Sequence, residues 1–211
     1  GKLITARTTD ELVENLKETE YYAPLKKIKD TDNVTLYDYN LALDLYYYTS
    51  TWKEQKKILK KSDLELFMRD RGSKIDLLNI QWIYRAKKYY NMKPADIYLM
   101  LIPIHYKLST ELVKDMVEAP GVEEFENVVI RTTYARHYNF KQNLTMEQMY
   151  ADCLHHLYTA DRRKNPYSVS AINTYLFLKE EELKKLTTVM ECVRYGLNPG
   201  ETAAYIGGRT R

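Results

Sequence analysis

Glycine and proline are scarce in this chain, with 7 and 6 among 211 residues. All-β proteins use both residue types heavily in their many tight turns, so the composition disfavours an all-β fold. The few glycines form neither a phosphate-binding loop nor a dinucleotide-binding turn, and the sequence has no nucleophile elbow and no histidine pair typical of a metalloprotease. We therefore predict no catalytic residue and no bound cofactor.

Cysteines and long apolar runs are also rare. The two cysteines, Cys153 and Cys192, are too few for a disulfide framework or a Cys-only zinc site, which favours a reduced, cytosolic setting. The most apolar stretch, residues 97–104, contains Pro103 and is far shorter than the roughly 20 residues that span a bilayer. We expect no transmembrane helix.

Charged residues of both signs are present in near balance, with 32 basic and 29 acidic side chains and a net charge of +3. This balance does not indicate a polyanionic partner. Lys87, Lys88, Tyr89 and Tyr90 form a basic and aromatic patch of a kind found in some nucleic-acid-binding proteins. A solvated helix face explains the patch better. We predict no nucleic-acid partner and keep a helical nucleic-acid-binding protein as an alternative.

Helical periodicity is the main positive signal. Apolar residues recur at three- and four-residue spacing along most of the chain, and Thr8, Ser62 and Thr145 each begin a capping-box pattern. Pro94 and Pro199 suit the first turn of short helices. The predicted helices run from about 8 to 17, 36 to 60, 62 to 90, 94 to 101, 109 to 131 with a break at Gly121, 145 to 163, Ser168 or Ser170 to Gly196, and onward from Pro199.

Two distant stretches of the sequence resemble each other. Val189 lies 106 residues after Ile83, and Pro199 lies 105 residues after Pro94, so the second copy is one residue shorter near Gly196. The matching positions are Ile80, Ile83, Arg85, Ala86, Lys88, Tyr89, Met92, Pro94 and Asp96 in the first copy, and Leu186, Val189, Glu191, Cys192, Arg194, Tyr195, Leu197, Pro199 and Glu201 in the second. A large repeat without a catalytic signature favours an architectural part over an enzyme.

A second pair of similar stretches is shorter. Glu11, Thr19 and Tyr21 recur as Glu124, Thr132 and Tyr134, at a constant offset of 113 residues. The first residues, Gly-Lys-Leu at 1–3, resemble Tyr-Lys-Leu at 106–108, which lie deep inside the repeat. We therefore expect the chain to begin partway through the architecture, with an earlier part absent from the sequence.

Polar residues on the apolar helices form a candidate structural cluster. Asp76, Asn79 and Arg85 lie in the first copy, and Glu182 and Glu191 lie in the second. They could face a partner protein, or they could bridge neighbouring helices within one subunit. We favour the bridging role, in which buried ion pairs fix helix register more than they add stability.

A metal site at Cys153, His155 and His156 is a further alternative, as in a metalloenzyme. On a helix, Cys153 and His156 could share a face while His155 points away, and no second ligand pair has suitable spacing. We therefore interpret them as ordinary helix residues and predict no metal.

Several motifs together resemble the C subunit of archaeal and bacterial A/V-type ATPases, a family that includes the eukaryotic d subunit. Its middle unit is similar to the segments 76–80 (Asp-Leu-Leu-Asn-Ile), 85–87 (Arg-Ala-Lys) and 102–103 (Ile-Pro). Its final unit is similar to 179–183 (Lys-Glu-Glu-Glu-Leu), 194–197 (Arg-Tyr-Gly-Leu) and Pro199. The joints between units resemble Thr19-x-Tyr21 and Thr132-x-Tyr134. The chain departs from the family at Lys185, where the last unit usually has Asn.

The resemblance implies an all-α fold of tandem, pseudo-symmetric helical bundles arranged as a funnel, with no significant β-sheet. The implied domains are the end of a first unit at 1–28, a second unit at 29–140, a third at 141–206, and a flexible tail at 207–211.

The resemblance also implies a non-catalytic role. The protein would join the rotating central shaft to the membrane rotor ring of a proton- or sodium-transporting ATPase, as a peripheral subunit on the cytoplasmic face of the membrane. Candidate interface residues are Tyr106, Arg131 and Arg136, near the short helices and joints. The main alternative is a helical protein-binding adaptor unrelated to rotary ATPases.

Overall fold

The described part of the computed structural model comprises residues 3–31, 34–135, 145–164 and 166–206. These residues form ten α-helices and no β-strand, which confirms the all-α prediction. None of the helices in these ranges is long and apolar enough to cross a membrane. The helices are α1 (Thr9–Asn15), α2 (Tyr22–Lys29), α3 (Leu36–Ile58), α4 (Lys61–Lys88), α5 (Pro94–Met100), α6 (Thr110–Glu118), α7 (Val122–Ile130), α8 (Met146–Lys164), α9 (Val169–Arg194) and α10 (Pro199–Tyr205).

The chain divides into two compact units, Gly1–Cys153 and Leu154–Arg211. The predicted domain boundary at 28/29 falls at the last residue of α2. The predicted boundary at 140/141 and the predicted tail at 207–211 lie outside the described residues. The predicted domain limits therefore stay predictions.

Side-chain caps explain where most helices begin. The Thr8 and Ser109 hydroxyls accept hydrogen bonds from the backbone amides of Glu11 and Leu112, each at 3.2 Å. Thr145 accepts from the Gln148 amide, and Gln148 accepts from the Thr145 amide in return. Each cap satisfies an amide that the first helical turn leaves without a partner, so the predicted starts of α1, α6 and α8 are confirmed.

One helix was not predicted, and one predicted helix start was wrong. The helix α2 was not predicted, because Tyr21 at its N-cap makes no side-chain capping bond and Pro24 falls in its first turn. Ser62 does not cap α4, which begins one residue earlier after Lys60, whose side chain also makes no capping bond. Helix starts without a side-chain cap leave no clear mark in a sequence.

The ends of α4 and α9 have similar backbone structure. After α4, Asn91 has a φ of 45°, and after α9, Gly196 has a φ of 72°; both lie in the left-handed region. The Met92 amide donates to the Ala86 carbonyl, six residues back, whereas the Leu197 amide donates to the Cys192 carbonyl, five residues back, both at 3.0 Å. A seven-residue helix that starts with proline follows each turn. The extra residue in the first turn matches the change in offset, while the tandem arrangement of whole bundles stays a prediction.

The core of the first unit is built around α4, which packs against α3, α5, α6 and α7. Ile75, Ile102 and Ile104 form a buried cluster, with partly buried side chains packed around it: Leu45, Tyr48, Trp52, Leu78 and Trp82. Gly72 of α4 makes a close contact with the side chain of Tyr106. A Cβ atom there would lie 2.5 Å from Cγ of Tyr106.

The core of the second unit lies between α8 and α9. The ring of Phe177 stacks on that of Tyr158 with 4.6 Å between centroids. The buried Thr174 hydroxyl donates to the Tyr158 carbonyl at 2.8 Å, across the two helices. α10 packs on α9 at the other end.

Candidate functional site

Asp76 is the centre of the most highly connected polar group in the described residues. Its side chain is fully buried in the middle of α4. The carboxylate accepts hydrogen bonds from the backbone amides of Tyr106 (3.0 Å), Lys107 (2.7 Å) and Leu108 (3.2 Å). It also accepts one from the Tyr134 hydroxyl at 2.7 Å. We call Asp76, these three amides and Tyr134 the Asp76 cluster.

Tyr134 connects the joint after α7 to this cluster. The joint begins with the buried Thr132, whose hydroxyl donates to the Val129 carbonyl at 2.7 Å. Thr19 makes the same bond to Leu16 at 2.7 Å, so the two joints share their local structure. Burial, together with the nearby charge of Asp76, raises the pKa of Tyr134 well above its ordinary value. The hydroxyl therefore remains a donor throughout the physiological pH range.

Asn79 lies one turn further along α4 and is also fully buried. Its side-chain amide donates to the Ile102 carbonyl at 3.0 Å, and its side-chain oxygen accepts from the Ile102 amide at 2.9 Å. Asn79 and Asp76 therefore bind the backbone of the same loop, residues 102–108. Together they form hydrogen bonds with five backbone polar groups of the loop.

The hydrogen bonds of Asp76 serve to hold the fold together. Both carboxylate oxygens of Asp76 accept hydrogen bonds from this chain, and the side chain is fully buried. Hydrogen bonds to a buried carboxylate are stronger than those between neutral groups. Breaking any of them by moving the loop would therefore cost free energy. The cluster connects α4, the loop and the joint through hydrogen bonds to one carboxylate.

The other predicted cluster residues lie elsewhere. Arg85 is exposed and pairs with Glu147 on α8 at 3.5 Å. Glu182 is exposed and pairs with Lys179 one turn away at 2.6 Å. Glu191 is exposed on α9. The structure thus brings Asp76 and Asn79 to one loop and places Arg85, Glu182 and Glu191 at separate surface positions.

The candidate interface residues have different environments. Tyr106 is half-buried, and its ring packs on Gly72. Arg131 is exposed and forms an ion pair with Asp115 at 3.1 Å. Arg136 lies outside the described residues. Their role in binding a partner stays a prediction.

Lys87 has a structural role that the sequence did not indicate. Its ammonium group donates to the carbonyls of Val117 and Ala119, at 2.7 and 2.6 Å, at the C-terminal end of α6. Burial lowers the pKa of this lysine. A cation is favourable at this end of a helix, where carbonyls lack intrahelical partners. The bonds connect residues 30 and 32 apart, so no local pattern could have predicted them.

Cys153 and the neighbouring histidines show ordinary contacts. The Cys153 thiol donates to the Tyr134 carbonyl at 3.6 Å, and burial with the nearby Asp152 charge raises the pKa of Cys153 to about 11. The His155 ring lies 6.4 Å from that of Phe177. Within the described ranges, no three His, Cys, Asp or Glu side chains come together in a way that could hold a metal ion.

Comparisons with known proteins show which family and which proteins this chain resembles. A family model described as ATP synthase (C/AC39) subunit matches residues 1–205. The C subunit of the A-type ATP synthase of Methanosarcina mazei is 32% identical over 134 residues, which is 64% of this chain and 35% of that protein. The same protein of Methanobrevibacter smithii is 26% identical over 91% of this chain and 52% of the relative.

The C subunit of the Pyrococcus abyssi A-type ATP synthase is 24% identical, over 96% of this chain and 55% of the relative. Where its match is most extensive, the chain thus spans about half the length of a relative. No solved structure matches the chain significantly. The family match covers nearly the whole sequence, and the chain therefore belongs to the ATP synthase C/AC39 subunit family.

Proposed function

We propose that this chain is a non-catalytic central-stalk subunit of a rotary A/V-type ATPase or ATP synthase. In that role it couples the rotating shaft to the membrane ring that moves protons or sodium ions, as a peripheral subunit on the cytoplasmic face of the membrane. The observation that carries the proposal is the family match over residues 1–205, together with relatives that are named as C subunits of A-type ATP synthases.

The internal construction of the first unit supports a mechanical role. A coupling must transmit torque without deforming, so its helices and loops need dense packing and few free polar groups. The Asp76 cluster joins α4, the loop at 102–108 and the joint at Tyr134 through four hydrogen bonds to one carboxylate. Lys87 adds a further link between α4 and α6.

Binding to the shaft is the first test. Tagged chain is mixed with purified shaft subunits from the same genome, and the complex is measured by size-exclusion chromatography and calorimetry. We expect a stoichiometric complex, and we expect Arg131→Glu to weaken it at least tenfold, because Arg is a frequent interface anchor. Lys57→Glu, the same charge reversal on α3, is the matched control and should bind like the wild type.

The outcomes test the proposed function and the role of Arg131 separately. If the wild-type chain does not bind the shaft subunits, the proposed function is wrong. If the wild type binds and Arg131→Glu binds equally well, Arg131 is not an anchor, and the interface lies elsewhere.

A further inference from the structure

The connection between α3 and α4 is basic and carries a protruding apolar residue. Helix α3 ends at Ile58 and α4 begins at Lys61, so only two residues join them. Arg71 of α4 donates a hydrogen bond to the Thr51 hydroxyl of α3 at 3.2 Å, so the two helices run back alongside each other. Six exposed residues surround the connection: Lys53, Lys56, Lys57, Ile58, Lys60 and Lys61. We call these six residues the α3–α4 tip.

The lysines of the tip are little neutralised within the fold. Lys57 forms an ion pair with Glu54 at 3.5 Å, but both side chains are exposed, and such pairs hold together only weakly. The Lys56 ammonium lies 5.8 Å from the centroid of the Trp52 ring. In the part of the chain that the structure describes, the four lysines other than Lys57 have no acidic partner. With five lysines and one glutamate, the segment 53–61 has a net charge of +4.

Basic residues at the other end of α4 are used inside the first unit instead. Arg85 pairs with Glu147, and the Lys87 ammonium donates to two carbonyls at the end of α6. The Lys88 ammonium donates to the Tyr84 hydroxyl at 2.5 Å. The tip therefore differs from this second basic region in that its charges are exposed and free to meet a partner.

The corresponding connection in the second unit has a similar character. At the repeat offset of 106, Lys56 and Lys57 correspond to Arg162 and Arg163. Both arginines are exposed, and neither has an acidic partner among the described residues. Tyr167, four residues after Arg163, is fully exposed. Exposed basic residues beside a protruding apolar or aromatic side chain thus occur at this connection in both units.

We propose that the α3–α4 tip docks on the surface of a bilayer that contains anionic lipids. Its lysines lie among the headgroups, and the Ile58 side chain enters the boundary between headgroups and acyl chains. Clustered lysines are attracted to the negative surface potential of such a bilayer. Ile58 is the last residue of α3 and is 73% exposed. A bilayer surface accommodates both features, because the long lysine stems keep their ammonium groups in the polar layer while the apolar side chain leaves water.

The apolar residue decides between a bilayer and another polyanion. Nucleic acid would attract the lysines through its phosphates, and that attraction gains nothing from Ile58. A bilayer surface gains from both, since removing apolar surface from water is favourable. The inference goes beyond the proposed function, in which the chain reaches the membrane through protein partners. Vesicles without those partners test it separately.

Cosedimentation of the full chain with vesicles is the test, using phosphatidylcholine alone and equal parts of phosphatidylcholine and phosphatidylglycerol. We expect the wild type to bind the anionic vesicles at low salt, to release them at high salt, and to bind phosphatidylcholine weakly. Lys60→Gln/Lys61→Gln should weaken binding at least tenfold, because each lysine close to an anionic surface contributes about fivefold. Lys26→Gln/Lys27→Gln removes the same charge from exposed positions of α2 and should bind nearly as the wild type does.

Ile58→Ser tests the apolar contact, and we expect it to weaken binding several-fold with the charge unchanged. Leu99→Ser, at a residue of α5 that is 74% exposed, is its matched control and should bind like the wild type. Circular dichroism confirms that each variant keeps its helices.

Three results would overturn the inference. The first is a wild-type chain that does not bind the anionic vesicles. The second is an equal loss of binding for the lysine pairs of the tip and of α2, which would show that net charge alone governs binding. The third is an Ile58→Ser variant that binds as the wild type does, since the tip would then act as a simple polycation.

Discussion

Helices α4 and α9 have nearly the same length, 28 and 26 residues, and share apolar residues at several positions related by the repeat offset, but the surroundings of these residues differ. Leu77, Ile80 and Tyr84 of α4 are buried beneath other elements. Their counterparts Leu183, Leu186 and Met190 of α9 are exposed. Similar apolar residues are therefore buried in one helix and exposed in the other, because α4 has other helices of the first unit packed on it.

Polar residues of α4 are likewise buried where their counterparts on α9 are exposed. Asp76 and Asn79 are short, buried and bonded to the loop at 102–108. Their counterparts at the offset of 106, Glu182 and Lys185, are longer, charged and exposed.

Removing the Asp76 carboxylate should have the largest effect. Asp76→Ala leaves three backbone amides and the Tyr134 hydroxyl without their acceptor, so we expect the free energy of unfolding to fall by about 3–5 kcal/mol. Glu182→Ala, its counterpart on α9, should change it by less than about 0.5 kcal/mol. Urea denaturation of both variants measures the difference. Equal effects would show that the Asp76 cluster does not hold the loop.

Truncation of matched leucines compares the two apolar faces. Leu77→Ala creates a cavity in a packed core and should cost about 2–4 kcal/mol. Leu183→Ala removes an exposed side chain and should cost less than about 0.5 kcal/mol in the monomer. Denaturation at low protein concentration separates these values. A large cost at Leu183 under those conditions would mean that α9 is covered within the monomer.

Alkaline pH should lower the free energy of unfolding through Tyr134. Tyr134 keeps its proton in the folded state above about pH 10, where an unfolded tyrosine ionises, because its pKa is raised. The folded chain then binds more protons than the unfolded chain, so stability is complete below about pH 10 and falls as the pH rises further.

Comparison with Tyr134→Phe isolates this contribution, because the other tyrosines are common to both chains. The wild type should lose up to about 1.4 kcal/mol more per pH unit above about pH 10 than the variant does. Urea denaturation between about pH 8 and 11 measures the slopes. Identical slopes would contradict a raised pKa at Tyr134.

The two left-handed turns should respond in opposite directions. Gly196→Ala places a Cβ in open space, so its cost of about 1 kcal/mol comes from the backbone conformation alone. Asn91→Gly relieves the same conformation after α4 and should be neutral or stabilising by a few tenths of a kcal/mol. Thermal denaturation checks both. A stabilising Gly196→Ala would rule out a left-handed residue at that turn.

Most of the helices could be predicted because their signals are local. Thr8, Ser109 and Thr145 cap helices within three residues of themselves, and Pro94 and Pro199 mark helix starts directly. The start of α4 and the whole of α2 were missed because no side chain caps them.

The site was less predictable because its bonds are distant in sequence. A buried polar group could be inferred from Asp76 and Asn79 on an apolar helix. Their partners could not, since the amides that bind Asp76 lie about 30 residues away and Tyr134 lies 58 residues away. Backbone donors carry no side-chain signature, and distance in sequence likewise hid the bonds of Lys87 to α6.

Coupling is measured most directly by ATP-driven ion uptake in vesicles that contain the rotary ATPase of the same genome, with and without this chain. If the chain joins shaft to ring, uptake per ATP hydrolysed should fall to background when it is left out and recover when it is added back. Unchanged coupling in its absence would contradict the proposed function.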